Sequence, residues 1–279
     1  MNSHQGLFGG NIPQDVTGKQ GENAIFIVYG LKQSNNTIKQ VKDLCANFSA
    51  LIRSMRNRFP EMQFSCTIGF GADAWKQLFP EQGNPKELKT FETIKGAKYT
   101  AVSTPGDILL HIRAKQMGLC FEFASIIDEK LKGVVDSIDE THGFRYMDGK
   151  AIIGFVDGTE NPAVDENPYH FVVIGDEDPD FIGGSYVFVQ KYIHDMTAWN
   201  SLPVEAQEKV IGRHKYNDVE LSDEEKPQNA HNAVTNIGDD LKIVRANMPF
   251  ANTSKGEYGT YFIGYASTFS TTHKMLENM

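Results

Sequence analysis

The order of strand and helix patterns in the first half of the chain is the feature that most constrains its fold. Short apolar runs, rich in β-branched and aromatic residues, predict strands at 24–30, 64–70, 107–114 and 134–140. Apolar residues at three- and four-residue steps predict an amphipathic helix across 38–55, and further helices are predicted at 72–79 and 116–132. The main elements therefore follow the order β-α-β-β-α-β, which is that of a ferredoxin-like unit.

The second half of the chain starts the same order again. A helical region at 194–211 and a final helix at 267–279 accompany strands predicted at 185–192, 241–245 and 258–265. We therefore predict an α+β fold of two ferredoxin-like βαββαβ modules, similar to a dimeric α/β barrel, with residues 1–140 and 141–279 forming one compact unit. The second repeat is one strand short, so we expect its sheet to lack the last strand and to leave an unpaired edge.

The composition excludes several classes of protein. A net charge of −9 over 279 residues disfavours nucleic acid as a partner, because binding to phosphates needs a basic surface. No apolar run approaches the roughly 18 residues of a membrane span, and residues 1–21 contain no apolar signal segment. The cysteines lack CxxC spacing and lie in apolar segments, which indicates buried thiols in a reducing compartment: Cys45, Cys66 and Cys120. We predict a cytoplasmic protein.

A strand-like apolar run at 152–156 ends at a carboxylate. It is followed directly by Asp157-Gly158 and then by a polar turn that closes with Asn161-Pro162. Asp157 is thereby delivered to the rim of a buried element, and Gly158 lets the backbone pass close to a flat ligand. The alternative is a simple turn between two strands. Polar motifs elsewhere in the second half favour a site.

His231 lies in a long polar loop between predicted elements. A histidine in a loop is by default a surface residue, and it serves a metal site when an acceptor orients its second ring nitrogen. Asp240, at the opening of the next predicted strand, is a candidate for that acceptor. A carboxylate there would accept the Nδ1 proton and leave Nε2 free to bind a metal.

Arginines supply the remaining polar motifs. Arg245 ends an apolar strand and Asn247 follows two residues later, so both side chains point to one side and form a pair of donors. The alternative for Arg245 is a solvated edge-strand position. Arg213 follows a predicted helix that ends at Gly212, where a cation also complements the helix dipole.

Four motifs, in this order and at these spacings, carry a resemblance to a known family. They are G-F-V-D-G-T-E-N-P at 154–162, I-G-R at 211–213, K-P-Q-N-A-H at 226–231 and I-V-R-A-N-M-P at 243–249. Together with the duplicated element order, they resemble the dye-decolorizing peroxidases of the bacterial B type over essentially the whole chain.

The resemblance implies that the second module holds haem b. It implies that His231 is the proximal iron ligand and that Asp157 and Arg245 are the distal pair over the peroxide site. Asn247 would be a further distal polar group, and Asp240 the acid that orients the proximal histidine. It further implies contacts with the haem from the following residues, the last of them near the propionates: Gly158, Thr159, Glu160 and Arg213.

The resemblance also implies an activity. We expect a haem-dependent peroxidase that reduces hydrogen peroxide and oxidises dyes or phenolic and aromatic donors, through heterolysis of the O–O bond assisted by Asp157 and Arg245, leaving a high-valent iron-oxo state. One alternative is a haem-handling protein, similar to a deferrochelatase or a storage protein, with incidental peroxidase activity. Another is a non-haem α+β domain that binds a small ligand.

The expected partners follow from the same reasoning. They are hydrogen peroxide and small aromatic reductants, with no nucleic acid and no membrane. Edge strands favour a homo-oligomer, a dimer or larger. Packaging as encapsulin cargo is a further possibility implied by the resemblance, for which the sequence shows no C-terminal targeting tail.

Overall fold

The structure is a computed structural model that describes residues 12–18 and 20–279. These residues form two compact units. One comprises Gly18–Glu92 and Ser103–Phe144; the other comprises residues 12–17, Thr93–Val102 and Arg145–Met279. The predicted boundary at residues 140/141 stays a prediction. The unit that contains most of the first half extends to Phe144, and Thr93–Val102 belong to the other unit.

The strands and helices have the following bounds. The strands are β1 (Asn23–Leu31), β2 (Ser65–Phe70), β3 (Ile94–Lys95), β4 (Thr100–Ala101), β5 (Ile108–Ala114), β6 (Val135–Phe144), β7 (Tyr186–Ile193), β8 (Val244–Arg245), β9 (Met248–Asn252) and β10 (Glu257–Ala266). The helices are α1 (Thr37–Arg58), α2 (Ala72–Leu78), α3 (Met117–Leu131), α4 (Tyr169–Val172), α5 (Met196–Ser201), α6 (Val204–Ile211), α7 (His231–Thr235) and α8 (Phe269–Asn278). Within the described residues, no helix is long and apolar enough to cross a membrane.

The first sheet has the ferredoxin-like topology that the sequence predicts. Its antiparallel strands lie in the order β2-β5-β1-β6, with α1 joining the first strand to the second and α3 the third to the fourth. Alternate residues of β1 face the helices, so that Ile25, Ile27 and Tyr29 join the same buried cluster as Leu44 of α1 and Phe123 of α3. Period-2 and period-3.6 apolar patterns thus meet in one core.

The second sheet repeats part of this topology, with β7, β10 and β8 in the places of β1, β5 and β2. β10 lies between β7 and β8, and β9 pairs with β10 beyond β8. In the described part of the chain, no fourth strand lies beside β7, where the first sheet has β6 beside β1. The prediction of an α+β fold of two ferredoxin-like modules is confirmed.

Three local predictions differ from the structure. The helical region at 194–211 is divided into α5 and α6, because Pro203 has no N–H and disfavours helical backbone at the preceding Leu202, which is extended (ψ 137°). The predicted strand at 241–245 is shorter, and β9 was not predicted. β9 contains Pro249, which suits a strand that pairs with β10 alone.

The strand-like run at 152–156 was predicted wrongly. It forms tight turns, in which the N–H of Gly154 donates to the carbonyl of Ala151 (2.8 Å), and only an isolated bridge joins Val156 to Lys150. Gly154 has φ +94°, a left-handed conformation that interrupts an extended strand.

Candidate functional site

A cavity of about 420 Å³ lies within the second compact unit. Much of its wall is apolar, contributed by β7, α6, β10, α8 and the segment before β8: Phe188, Ile211, Phe262, Met275, Leu276 and Ile243. The sequence predicts a site from residues that are far apart along the chain, and all but one of them line this cavity. Those that line it are Asp157, Gly158, Thr159, Glu160, Arg213, His231, Arg245 and Asn247.

The turn that carries Asp157 is anchored from its outer side by α5. The buried ring of Phe155 packs edge-on against Trp199 with centroids 6.1 Å apart, and Trp199 Nε1 donates to the carbonyl of Ile153 (2.9 Å). The N–H of Asp157 donates to the carbonyl of Gly149 (3.1 Å). The Asp157 backbone is therefore held by contacts that leave its carboxylate facing the cavity.

The carboxylate of Asp157 is linked to the central strand of the second sheet through Asn247. Asn247 Nδ2 donates to Asp157 Oδ1 (3.2 Å), and Asn247 Oδ1 accepts the N–H of Ile263 in β10 (3.1 Å). Because Ile263 occupies the amide oxygen, the NH₂ group is the end that faces Asp157. Asn247 itself is buried, so this orientation is set by the sheet.

Arg245 is held by its backbone and presents its side chain to the cavity. Asn161 Oδ1 accepts the N–H of Arg245 (2.9 Å), and Asn161 Nδ2 donates to the carbonyl of Arg245 (2.8 Å). No described residue makes a hydrogen bond or an ion pair with its guanidinium group. Such a half-buried cation without a partner is unusual in a folded protein and is suited to a bound anion or polar ligand.

His231 is the first residue of α7 and lies in the same cavity. The prediction placed it in a loop; the structure places it at the start of this short helix. The ring is accessible from the cavity, while the protein around it displaces much of the surrounding water. This desolvation, followed by the positive charge of Arg245, lowers the pKa of His231 below its usual 6.5, and Asp157 opposes the shift.

No residue among those described makes a hydrogen bond with the His231 ring. A neutral imidazole with a free nitrogen is the form that binds a metal. Asp240 does not supply the orienting contact: it is exposed, lies outside the cavity lining and makes no hydrogen bond with His231. Its proposed orienting role stays a prediction, and this geometry does not support it.

Arg213 lies at the polar end of the cavity among carboxylates. Its Nη1 donates to the carbonyl of Asp218 (2.7 Å), its Nη2 pairs with Glu160, and Glu220 lies 3.9 Å from Nη2. Its Nε is buried and has no hydrogen-bond partner in the described part of the chain. A buried donor left unpaired costs free energy unless a ligand satisfies it.

These residues fit a haem. The cavity offers apolar walls for a flat macrocycle, one neutral imidazole for iron, and an unpaired buried donor of Arg213 for a carboxylate side chain. Asp157 and Arg245 add a carboxylate and a cation on the same cavity.

Two residues that shape the site were not predicted as site residues. Asn161 was predicted only as part of a turn, and no role was predicted for Trp199. Asn161 holds the Arg245 backbone, and Trp199 holds the turn before Asp157. The position of Asn161 within the Asp157 motif was the available signal. Its partner lies 84 residues away, so the contact itself has no local pattern.

Comparison with protein families matches both halves of the chain. Residues 13–145 match the family model described as Dyp-type peroxidase, N-terminal, and residues 148–279 match Dyp-type peroxidase, C-terminal. The chain is 48% identical over 272 residues to a dye-decolorizing peroxidase of Rhodococcus erythropolis, which covers 96% of this chain and 79% of that protein.

Solved structures give the same result. The chain is similar to the crystal structure of a dye-decolorizing peroxidase from Bacteroides thetaiotaomicron, with a TM-score of 0.96, 85% identity, and coverage of 98% of this chain and 88% of that one. A variant of DypB from Rhodococcus jostii RHA1, solved in complex with heme, has a TM-score of 0.91 and 42% identity, and the match covers 96% of this chain and 87% of that one.

The haem in the DypB complex confirms, at the level of the family, the cofactor that the motifs imply. Matches over both halves of the chain confirm the predicted resemblance. The chain therefore belongs to the Dyp-type peroxidase family, and it is an enzyme of the peroxidase class of oxidoreductases.

Proposed function

We propose that this protein uses haem b to reduce hydrogen peroxide and to oxidise dyes or phenolic and aromatic donors. The observation that carries the proposal is one cavity in which an imidazole and a guanidinium, both without partners among the described residues, face the carboxylate of Asp157. Family membership supports peroxidase activity, and the cavity residues support the finer mechanism.

The cofactor is held by residues from both ends of the second unit. With haem bound, His231 would hold the iron through its neutral imidazole, and Arg213 would hold a propionate. Backbone and side-chain atoms of Gly158, Thr159 and Glu160 border the same space. When bound, the haem supplies the redox chemistry of iron.

Asp157 moves the proton that peroxide cleavage requires. One oxygen of hydrogen peroxide must lose a proton, and the other must gain one. Asp157 Oδ1 is occupied by Asn247 Nδ2, so Oδ2 is the oxygen that takes up the proton and returns it. The bond from Asn247 also holds the carboxylate in one rotamer.

Arg245 stabilises the charge that develops on the departing oxygen. Its guanidinium is permanently protonated, so it acts as a fixed cation and donor and does not serve as the base. Because its backbone is clamped and its guanidinium has no competing partner among described residues, the charge stays available to the substrate.

Reductants and assembly belong to the same proposal. Small aromatic donors suit the apolar wall of the cavity, which includes Phe188 and Phe262. Assembly into a homo-oligomer, packaging inside a protein shell and a cytoplasmic location stay predictions.

The test separates cofactor binding from the reaction with peroxide. We expect Asp157→Asn and Arg245→Leu to keep the parental haem content, because neither residue binds iron. In stopped-flow mixing with hydrogen peroxide, we expect Asp157→Asn to slow the reaction by about 10²–10⁴-fold and Arg245→Leu by about 10²–10³-fold.

Asp176→Asn is the control, since Asp176 is exposed in the same unit and lies outside the cavity lining. Its rate should equal that of the parent protein. Parental rates in both cavity variants would contradict the assignment and favour the haem-handling alternative.

A further inference from the structure

Asn161 completes the edge of the second sheet at one residue. β8 pairs with β10 on one side, where Arg245 lies opposite Gly264. On its other side, the N–H and the carbonyl of Arg245 both bond to the amide of Asn161, at 2.9 and 2.8 Å. This reproduces the exchange of two hydrogen bonds that a neighbouring antiparallel strand makes with one residue.

The turn is built to deliver the Asn161 amide to this position. The N–H of Asn161 closes the turn on the carbonyl of Gly158 (3.1 Å). Gly158 has φ +80°, and a Cβ there would lie 3.3 Å from Asn161 Nδ2. The buried Pro162 restricts the preceding Asn161 to extended backbone. A turn that only reversed the chain would need neither this space nor this restriction.

Two amides therefore join the Asp157 turn to the strand that carries Arg245. Asn247 links the strand to the Asp157 carboxylate (3.2 Å), and Asn161 links the turn to the Arg245 backbone. The guanidinium of Arg245 has no partner among the residues described, so the hydrogen bonds that position Arg245 act on its backbone. The separation of the carboxylate and the cation is thus set by both amides.

We propose that Asn161 is a positioning residue, which places the Arg245 guanidinium relative to the Asp157 carboxylate during peroxide cleavage. This inference rests on the proposed function of Arg245. Misplacing a reacting group by about 1 Å can slow a reaction by about 10²-fold. Neither atom of the Asn161 amide faces the substrate, because both are bonded to the Arg245 backbone.

The test is a double-mutant cycle on haem-reconstituted full-length protein, with the rate of reaction with hydrogen peroxide as the readout. We expect Asn161→Ala to keep the haem and to react about 10–100-fold more slowly. In the Arg245→Leu background, the same substitution should cause no further loss, because Asn161 acts through Arg245. A purely structural role would lower the rate in both backgrounds.

Asn252→Ala is the matched control. The side chain of Asn252, like that of Asn161, accepts a backbone N–H (that of Lys255, 3.3 Å), but Asn252 lies outside the cavity lining. It should react at the parental rate. Should Asn161→Ala fail to hold haem, the cycle uses Asn161→Asp. This variant keeps the shape and the acceptor for the Arg245 N–H, but it sets a carboxylate oxygen against the Arg245 carbonyl. There we again expect a loss that Arg245→Leu abolishes.

A parental rate for the Asn161 variant that is used, or a loss that adds to that of Arg245→Leu, overturns the inference. A parental rate for Arg245→Leu alone contradicts the proposed function itself. Failure of the inference is therefore seen in the Asn161 variant, and failure of the proposed function in Arg245→Leu.

Discussion

At the scale of single residues, the site is marked by polar groups that the fold leaves without partners. Buried and half-buried polar atoms in proteins are almost always hydrogen-bonded. Among the residues that the structure describes, the half-buried Arg245 guanidinium and the buried Arg213 Nε depart from this rule. The accessible ring of His231 also has no partner among them, and all three residues line one cavity. A ligand with a metal, a reactive polar group and a carboxylate satisfies all three.

The assignment of His231 predicts a loss of haem on substitution. Loss of a supporting hydrogen bond alone costs a metal site roughly 10–100-fold in affinity, so removing the ligand in His231→Ala should cost at least that much. The measurement is the Soret absorbance per protein after haem reconstitution and gel filtration.

The control is His142→Ala, since His142 bonds to Glu140 in the other compact unit and should not affect haem content. Unchanged haem occupancy and ferric spectrum in His231→Ala would refute the ligand assignment.

At the scale of elements, the end of α6 is fitted to the helix that carries His231. Gly212 ends α6 with φ +93°, and a Cβ there would lie 1.7 Å from Asn232 Oδ1 in α7. Asn232 Nδ2 in turn donates to the carbonyl of Gly212 (3.2 Å). Glycine is therefore required for two reasons, the left-handed backbone and the close approach of α7.

Gly212→Ala should destabilise the protein and lower its haem content. Left-handed backbone costs an ordinary residue about 1–2 kcal/mol, and the overlap with Asn232 must also displace α7. Gly256→Ala is the control, because Gly256 has φ +64° with open space around it and should show the backbone cost alone. Urea unfolding and haem titration check both variants; equal effects in the two would show that α7 does not move.

The turn after α6 is held by Glu208. Its carboxylate accepts the N–H of Lys215 (2.9 Å) and contacts His214 Nδ1 (3.3 Å). The bond from Lys215 is the main cause that lowers the pKa of Glu208 below 4.5, with burial opposing and His214 adding to it. The stabilisation is therefore present above pH 4.5 and is lost as pH falls through the lowered pKa.

Glu208→Gln keeps an acceptor oxygen for the Lys215 N–H and loses the charge. It should therefore lower the free energy of unfolding at neutral pH by about 1 kcal/mol, the difference between a hydrogen bond to a charged group and one to a neutral group. The difference from the parent protein should shrink well below pH 4.5, where the parental carboxyl is itself protonated. Glu224→Gln, at an exposed position, should show no such difference. A gap between parent and Glu208→Gln that stays constant with pH would contradict this account.

At the scale of the whole molecule, the ferredoxin-like topology builds an apolar core in the first unit and a cavity in the second. In the first unit, the faces of the sheet and helices meet in a continuous apolar core. In the second unit, alternate residues of β10 divide the two roles: Tyr261, Ile263 and Tyr265 are buried, whereas Thr260 and Phe262 line the cavity. The stability of the second unit should therefore depend on what fills that cavity.

Haem should raise the melting temperature of the apo-protein, and above Kd the rise should grow with the logarithm of the haem concentration. A ligand at 100 times its Kd adds about 2.7 kcal/mol to the folded state, and each kcal/mol raises Tm by about 2–4 °C for domains of 150–250 residues. Differential scanning fluorimetry with increasing haem measures the shift. The same titration of His231→Ala should give a much smaller shift; an equal one would indicate non-specific binding.

The sequence by itself determined the class of fold and named eight of the residues that line the cavity. Strand and helix periods are local properties, so the repeated element order predicted both sheets, apart from β9 in the second one. The motifs around Asp157, His231 and Arg245 lie in short stretches whose residue types already indicate their chemistry. Local patterns were misleading at 152–156, where Gly154 turns an apolar run away from extended backbone.

Only the tertiary structure decided how these residues are held. The bonds between Asn161 and Arg245 and between Asn247 and Asp157 join positions 84 and 90 residues apart. Asp240, which is close to His231 along the chain, makes no hydrogen bond with it among the described contacts and lies outside the cavity lining. Hydrogen bonds between side chains depend on distances in the folded chain, and spacing along the sequence does not report those distances once a sheet brings remote strands together.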